Sequence, residues 1–127
     1  MAENETVLVV DDDDAVRKAM VRLLKGAGFA ALEARDGSEA VHIFGQNAAA
    51  ITAVTLDIAM PTTNGRETLA MLSEFAPGLP IIIATAFPLP DDLIGRQPGD
   101  PGVGYLQKPF TAVELSTELR RVIDEMK

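Results

Sequence analysis

The chain of 127 residues lacks cysteine, lacks an excess of positive charge and lacks any long hydrophobic run. Without cysteine there is no disulfide framework, no thiolate metal site and no thiol nucleophile, and nothing points to an oxidising compartment. Nineteen acidic residues against eleven basic ones give a formal charge of −8, which opposes the phosphate contacts that supply most nucleic-acid affinity. Direct DNA or RNA binding is therefore not expected. Apolar stretches such as Pro80 to Ala84 are of strand length, far below the roughly 20 residues that cross a bilayer. The start, Met1-Ala2-Glu3-Asn4-Glu5, is acidic where a secretory leader is basic and then apolar. A cytoplasmic protein without membrane insertion is expected. No linker, repeat or low-complexity tract divides the chain, so residues 1–127 read as one domain, long enough to bury a core unaided.

What is present is an alternation. Thr6 to Val10 is β-branched and apolar throughout, as in a strand buried on both faces of a parallel sheet. After four aspartates, Val16, Met20, Leu23 and Leu24 recur at helical spacing, with Asp13 or Asp14 as the N-cap and Gly26 and Gly28 as stops. The pattern returns as a strand at Ala30 to Ala34 and a helix capped by Ser38 that carries Ala40, Val41 and Phe44. A third pair follows, with a strand at Ile51 to Leu56 and a helix bearing Leu69, Met71, Leu72 and Phe75. Strands at Ile81 to Ala84 and Val103 to Gln107 precede a last helix, opened by the capping box Thr111 to Glu114 and lined by Val113, Leu115, Leu119, Val122 and Ile123 up to the chain end. Five strands alternating with helices predict an α/β fold, a flavodoxin-like doubly wound parallel sheet of order 2-1-3-4-5. Between strands four and five, Pro88, Pro90, Pro98 and Pro101 with four glycines disfavour a helix, so a short or irregular one is predicted, at most a turn or two around Asp91 to Gly95.

In such sheets ligands bind at the carboxyl ends of the strands. Asp11 and Asp12 follow strand one, Asp57 follows strand three, Thr85 strand four and Lys108 strand five. Taken singly, each reads as polar surface or a helix cap. Together they bring three carboxylates, a hydroxyl and an amine to one edge. Clustered carboxylates are relieved by protonation or by a divalent cation, and an oxygen-only set without His or Cys favours Mg²⁺. A Mg²⁺-assisted phosphoryl site, with one carboxylate as nucleophile, follows.

Val9-Val10-Asp11-Asp12, Leu56-Asp57-Ile58-Ala59-Met60-Pro61 through Gly65, Ala84-Thr85-Ala86 and Gln107-Lys108-Pro109-Phe110, in that order over nearly the whole chain, resemble the receiver domains of bacterial response regulators. The resemblance implies that Asp57 is the phosphoacceptor, charged by a histidine kinase or a histidine phosphotransfer domain. It implies Asp12 and Asp57 as direct Mg²⁺ ligands, Asp11 as a largely water-mediated one and the backbone carbonyl of Ala59 as a further one. Thr85 would bond the phosphoryl oxygen, Lys108 would pair with it, a cis peptide would precede Pro109, and Tyr105 would move with Thr85 in the switch. Such a domain catalyses only its own phosphorylation and dephosphorylation. The resemblance implies that positions 59 and 87 flank the phosphoryl site, and Ala59 and Phe87 offer no polar side chain there to align water, which predicts slow autodephosphorylation. The loose segment before Gly104 to Phe110 resembles receivers at the ends of hybrid histidine kinases, so a stand-alone regulator and a piece of a larger protein both stay open, as does the output partner.

Two other readings compete. Asp12-Asp13-Asp14-Ala15-Val16 fits the Asp-x-Asp-x-Val motif of haloacid-dehalogenase-type phosphatases, with Asp12 and Asp14 as its acids, but that leaves Asp57 and Lys108 unexplained. A receiver-like adaptor that is never phosphorylated is the other. An EF-hand loop fails at Ala15 and Val16.

Overall fold

The computed structural model describes residues 5–58, 65–86, 88, 89, 93 and 95–127. Strands β1 (Thr6–Val10), β2 (Ala30–Ala34), β3 (Ile51–Leu56), β4 (Ile81–Thr85) and β5 (Val103–Gln107) interleave with helices α1 (Asp14–Gly26), α2 (Gly37–Asn47), α3 (Gly65–Phe75) and α4 (Ala112–Glu125). The strands form one sheet of order β2-β1-β3-β4-β5, and every pairing is parallel. The predicted fold class and strand order are those observed.

Side chains alternate along a strand, so each buried strand feeds two cores. Leu8, Val10, Val54, Leu56, Ile81 and Ile83 pack on one face with Leu69 and Leu72 of α3. Val7, Val9, Ala53, Ile82 and Ala84 pack on the other with Met20 and Leu24 of α1 and Leu115, Leu119, Val122 and Ile123 of α4. Thr55 sits in the second layer by register, between Val9 and Ile82, and its buried hydroxyl has no hydrogen-bond partner among the described residues. Among the described residues no helix is long and apolar enough to cross a membrane.

Capping explains most helix starts. Asp13 accepts from the amides of Ala15 and Val16 to open α1, and Thr111 and Glu114 form the predicted capping box of α4. For α2 the expectation fails: Asp36, not Ser38, is the cap, accepting from the Glu39 amide at 2.8 Å, while the Glu39 carboxylate accepts from the Arg35 amide. Two predicted face residues also look outward. Val113, in the first turn of α4 below the sheet contact, is 73% exposed, and Met71 is exposed as well. The last helix closes at Glu125, with Met126 as its C-cap, short of the chain end. The Phe75 side chain lies outside the described residues.

No helix occurs between β4 and β5 among the described residues, although Asp91, Asp92 and Ile94 of the predicted turn fall outside them. Side chains hold this connection instead. The Arg96 amide donates to Ser73 Oγ at 2.9 Å, and its guanidinium donates to the carbonyls of Leu79 and Pro101. Leu93 is buried in the first core layer.

At the margin of the sheet, α4 bonds the outward amide of Tyr105 in β5 and that of Gly102 just before it. Glu118 accepts from the Tyr105 amide at 3.1 Å, Glu125 accepts from the Gly102 amide at 2.8 Å, and Arg121 bonds both carboxylates. A Cβ on Gly104 would meet the Glu118 side chain, so glycine there leaves room for that carboxylate to lie against the strand.

Candidate functional site

The carboxyl ends of β1, β3, β4 and β5 converge where the strand order reverses, as open α/β sheets require. Carboxylate oxygens of Asp11, Asp12 and Asp57 lie within 4.8 Å of one another. Lys108 Nζ donates to Asp11 Oδ2 at 2.7 Å and to Asp57 Oδ2 at 3.3 Å. The predicted acids and the predicted amine are thus neighbours, drawn from positions 97 and 51 residues apart. Asp11 is buried, Asp57 half-buried and Asp12 exposed, so the group opens to water on the Asp12 side.

The backbone holds these side chains in place. The Asp57 amide donates to the Val10 carbonyl at 3.0 Å and the Asp11 amide to the Ala34 carbonyl at 3.1 Å, extending the ladder past the strands. Thr85 ends β4, 1% exposed, and its carbonyl accepts from the Lys108 amide at 2.9 Å, which ties the amine to the hydroxyl-bearing strand. The Lys108–Pro109 peptide is cis, as expected. Tyr105 is half-buried against the first core layer, opposite Ile83 in register. The Ala59 carbonyl and Phe87 lie outside the described residues. Gly65 is forced by its surroundings, because a Cβ there would collide with the backbone of Asp57 and Ile58.

Burial works against the charged form of Lys108, but the hydrogen bond and charge of Asp11, then the charge of Asp57, outweigh it and raise its pKa above 10.5. The amine is a fixed cation between two acids. Three carboxylates against one ammonium leave net negative charge in a small volume, and the donors are all oxygen. That set fits Mg²⁺, which takes one or two carboxylates and keeps several waters. Asp14 does not join the group: it bonds Arg17 at 2.5 Å, which removes the second acid of the phosphatase motif from the site.

Arg17 escaped the sequence reading. Its side chain is 6% exposed, and it bonds Asp14, Glu33 and the Asp11 carbonyl. The only signal in the sequence was an acid three residues before it. Glu33 lies on a neighbouring strand and cannot be paired with Arg17 by spacing alone.

The family model "Response regulator receiver domain" matches residues 7–120. The sensor kinase CckA of Brucella abortus is 31% identical over 126 residues, covering 98% of this chain and 13% of that protein. The response regulator MprA of Mycobacterium sp. (strain KMS) is 38% identical over 119 residues, 92% of this chain, which spans about half (50%) of that relative's length. Among solved structures, the response regulator TrrA of Thermotoga maritima in complex with Mg²⁺-BeF superposes with a TM-score of 0.79 at 27% identity, covering 93% of this chain and 98% of that one. A sheet of matching order, the acids at its switch point and a family model that takes in all of them lead to one statement: this chain belongs to the response regulator receiver domains of two-component signalling.

Proposed function

We propose that Asp57 accepts a phosphoryl group from a phosphohistidine, presented by a histidine kinase or a histidine phosphotransfer domain, and that the phosphorylated chain engages its downstream partner differently. The observation that carries this reading is the meeting of Asp57 with Lys108 and two further carboxylates at the switch point of the sheet. A carboxylate oxygen of Asp57 attacks phosphorus, a P–O bond forms, and the P–N bond breaks with its electron pair returning to the ring nitrogen, which is then protonated from water. Asp11, Asp12 and Asp57 would hold Mg²⁺, which when bound supplies positive charge against the phosphoryl oxygens. Lys108 neutralises a second region of that charge, and Thr85 donates its hydroxyl to a phosphoryl oxygen.

The switch is a population shift. A phosphoryl group favours one conformation only through contacts it makes better there, and Thr85 and Lys108 supply them. As Thr85 turns inward, the ring of Tyr105 takes the space it leaves, and the surface of β4, β5 and α4 changes. In this reading residues 1–127 act as one receiver unit in the cytoplasm, a signalling domain whose only chemistry is on itself.

The test is intact mass after incubation with a small phosphodonor and Mg²⁺, beside Asp57→Asn and a metal-free control. One added phosphoryl group, labile to hydroxylamine and absent from both controls, is expected. An unmodified native chain under every donor would sink the proposal in favour of a phosphorylation-independent adaptor.

A further inference from the structure

Asp12 is the exposed member of the acidic group, and among the described residues no hydrogen bond holds its carboxylate. Its direction therefore follows from its backbone. The Asp11 carbonyl and the Asp12 amide share one planar peptide, so whatever holds that carbonyl sets the angle at which Asp12 leaves the strand. Arg17 holds it, donating from Nη1 to the Asp11 oxygen at 2.9 Å in a buried position.

The guanidinium is itself fixed. Nε donates to Glu33 Oε1 on β2 at 2.9 Å and Nη2 to Asp14 at 2.5 Å, which leaves Arg17 no rotamer freedom while the carbonyl bond is made. Asp11 is anchored at its other groups by the Ala34 carbonyl, the Asp13 amide and Lys108. Among the described residues only Arg17 reaches the peptide on the Asp12 side. Its planar fork spans three acceptors in three directions, which a lysine ammonium on a flexible stem cannot do.

We propose that Arg17 is a positioning residue for the acidic site, aiming the Asp12 carboxylate by holding the peptide that joins Asp11 to Asp12. This rests on the reading that Asp11, Asp12 and Asp57 bind Mg²⁺. Partners that orient metal ligands typically contribute 10- to 100-fold in affinity, and a bond acting through one peptide belongs at the lower end, about tenfold.

The experiment is Mg²⁺ titration by calorimetry of the native chain, Arg17→Lys and Val122→Ala, with amide NMR shifts of residues 11–13 followed alongside. Val122→Ala removes core volume on α4, away from the acidic loop, and controls for general loss of stability. Expected is Mg²⁺ binding about tenfold weaker in Arg17→Lys, displaced Asp12 and Asp13 amide signals before any metal is added, and native affinity in Val122→Ala. Native affinity in Arg17→Lys overturns the inference and leaves the site reading standing. Equal weakening in both variants also overturns it, since stability alone would then explain the loss. A native chain that binds no Mg²⁺ overturns the site reading and this inference with it. Should Arg17→Lys fail to fold, Glu33→Gln removes the charged partner of Nε and carries the same test, with a smaller loss in the same direction expected and unchanged affinity overturning.

Discussion

Replacing Asp12 by asparagine should stabilise the metal-free fold and abolish most of its response to Mg²⁺. The substitution keeps the shape of the side chain and removes one charge. Carboxylate oxygens of Asp11, Asp12 and Asp57 lie within 4.8 Å of one another. At that separation two like charges repel by about 1 kcal/mol in water and by roughly 3.5 kcal/mol at an effective dielectric of about 20. Asp12 is exposed, so the lower figure applies to each of its two repulsions, and Lys108 offsets about one of them, which leaves a gain of about 1 kcal/mol without metal. For a domain of this size that is roughly 4 °C in melting temperature. With Mg²⁺ at 100 times its dissociation constant, the native chain gains about 2.7 kcal/mol by mass action, and the variant should keep little of this. The stability order of the two proteins therefore inverts between chelator and saturating Mg²⁺, which urea denaturation followed by circular dichroism reads directly. A variant less stable than the native chain in chelator, or one with an undiminished Mg²⁺ response, would refute the electrostatic argument.

Thr55→Val should raise stability by about 1–2 kcal/mol in urea denaturation, because it replaces a buried hydroxyl that has no partner among the described residues by a methyl group between Val9 and Ile82; destabilisation would reveal a bound water or another acceptor. Gly65→Ala should cost about 1–3 kcal/mol and slow modification of Asp57, since its Cβ meets backbone that no rotamer change can clear; a native-like melting temperature contradicts this. Glu118 has its carboxyl held below the ordinary 4.5 by the Arg121 hydrogen bond, against burial and with help from the Tyr105 amide. Its contribution is then complete above pH 4.5 and lost as pH falls through the lowered folded value. Glu118→Gln should flatten the acid side of a stability–pH profile, and an unchanged slope counts against the bond.

Sheet order and the acidic group were legible because a doubly wound sheet writes itself plainly: each buried strand is an apolar run, and the residue that ends the run carries the chemistry. Asp11, Asp57 and Lys108 could be assembled from that rule alone. Arg17 and Glu33 could not, because their bond joins a helix to a neighbouring strand, and an arginine on an amphipathic helix looks like surface. Glu118 and Glu125 look equally ordinary until the free margin of β5 is seen beneath them. The cap of α2 was misplaced because Asp36 and Ser38 are both good caps, and only the start of the helix at Gly37 decides between them. Prolines and glycines disfavour a regular helix before β5, and none occurs among the described residues there, but nothing local foretold that Arg96 would lace that segment to Leu79 and Pro101.

The glutamates that sit over β5 also bear on how copies of this domain coexist. A bare outer strand offers a template on which another chain can add, the first step toward runaway pairing of sheets. Here the amide hydrogen of Tyr105 in the strand, and that of Gly102 just before it, are already spent on carboxylates of the same molecule, and Arg121 ties those carboxylates in place. An approaching strand would have to displace these charged contacts to pair along this stretch of β5, which disfavours extension of the sheet at that edge.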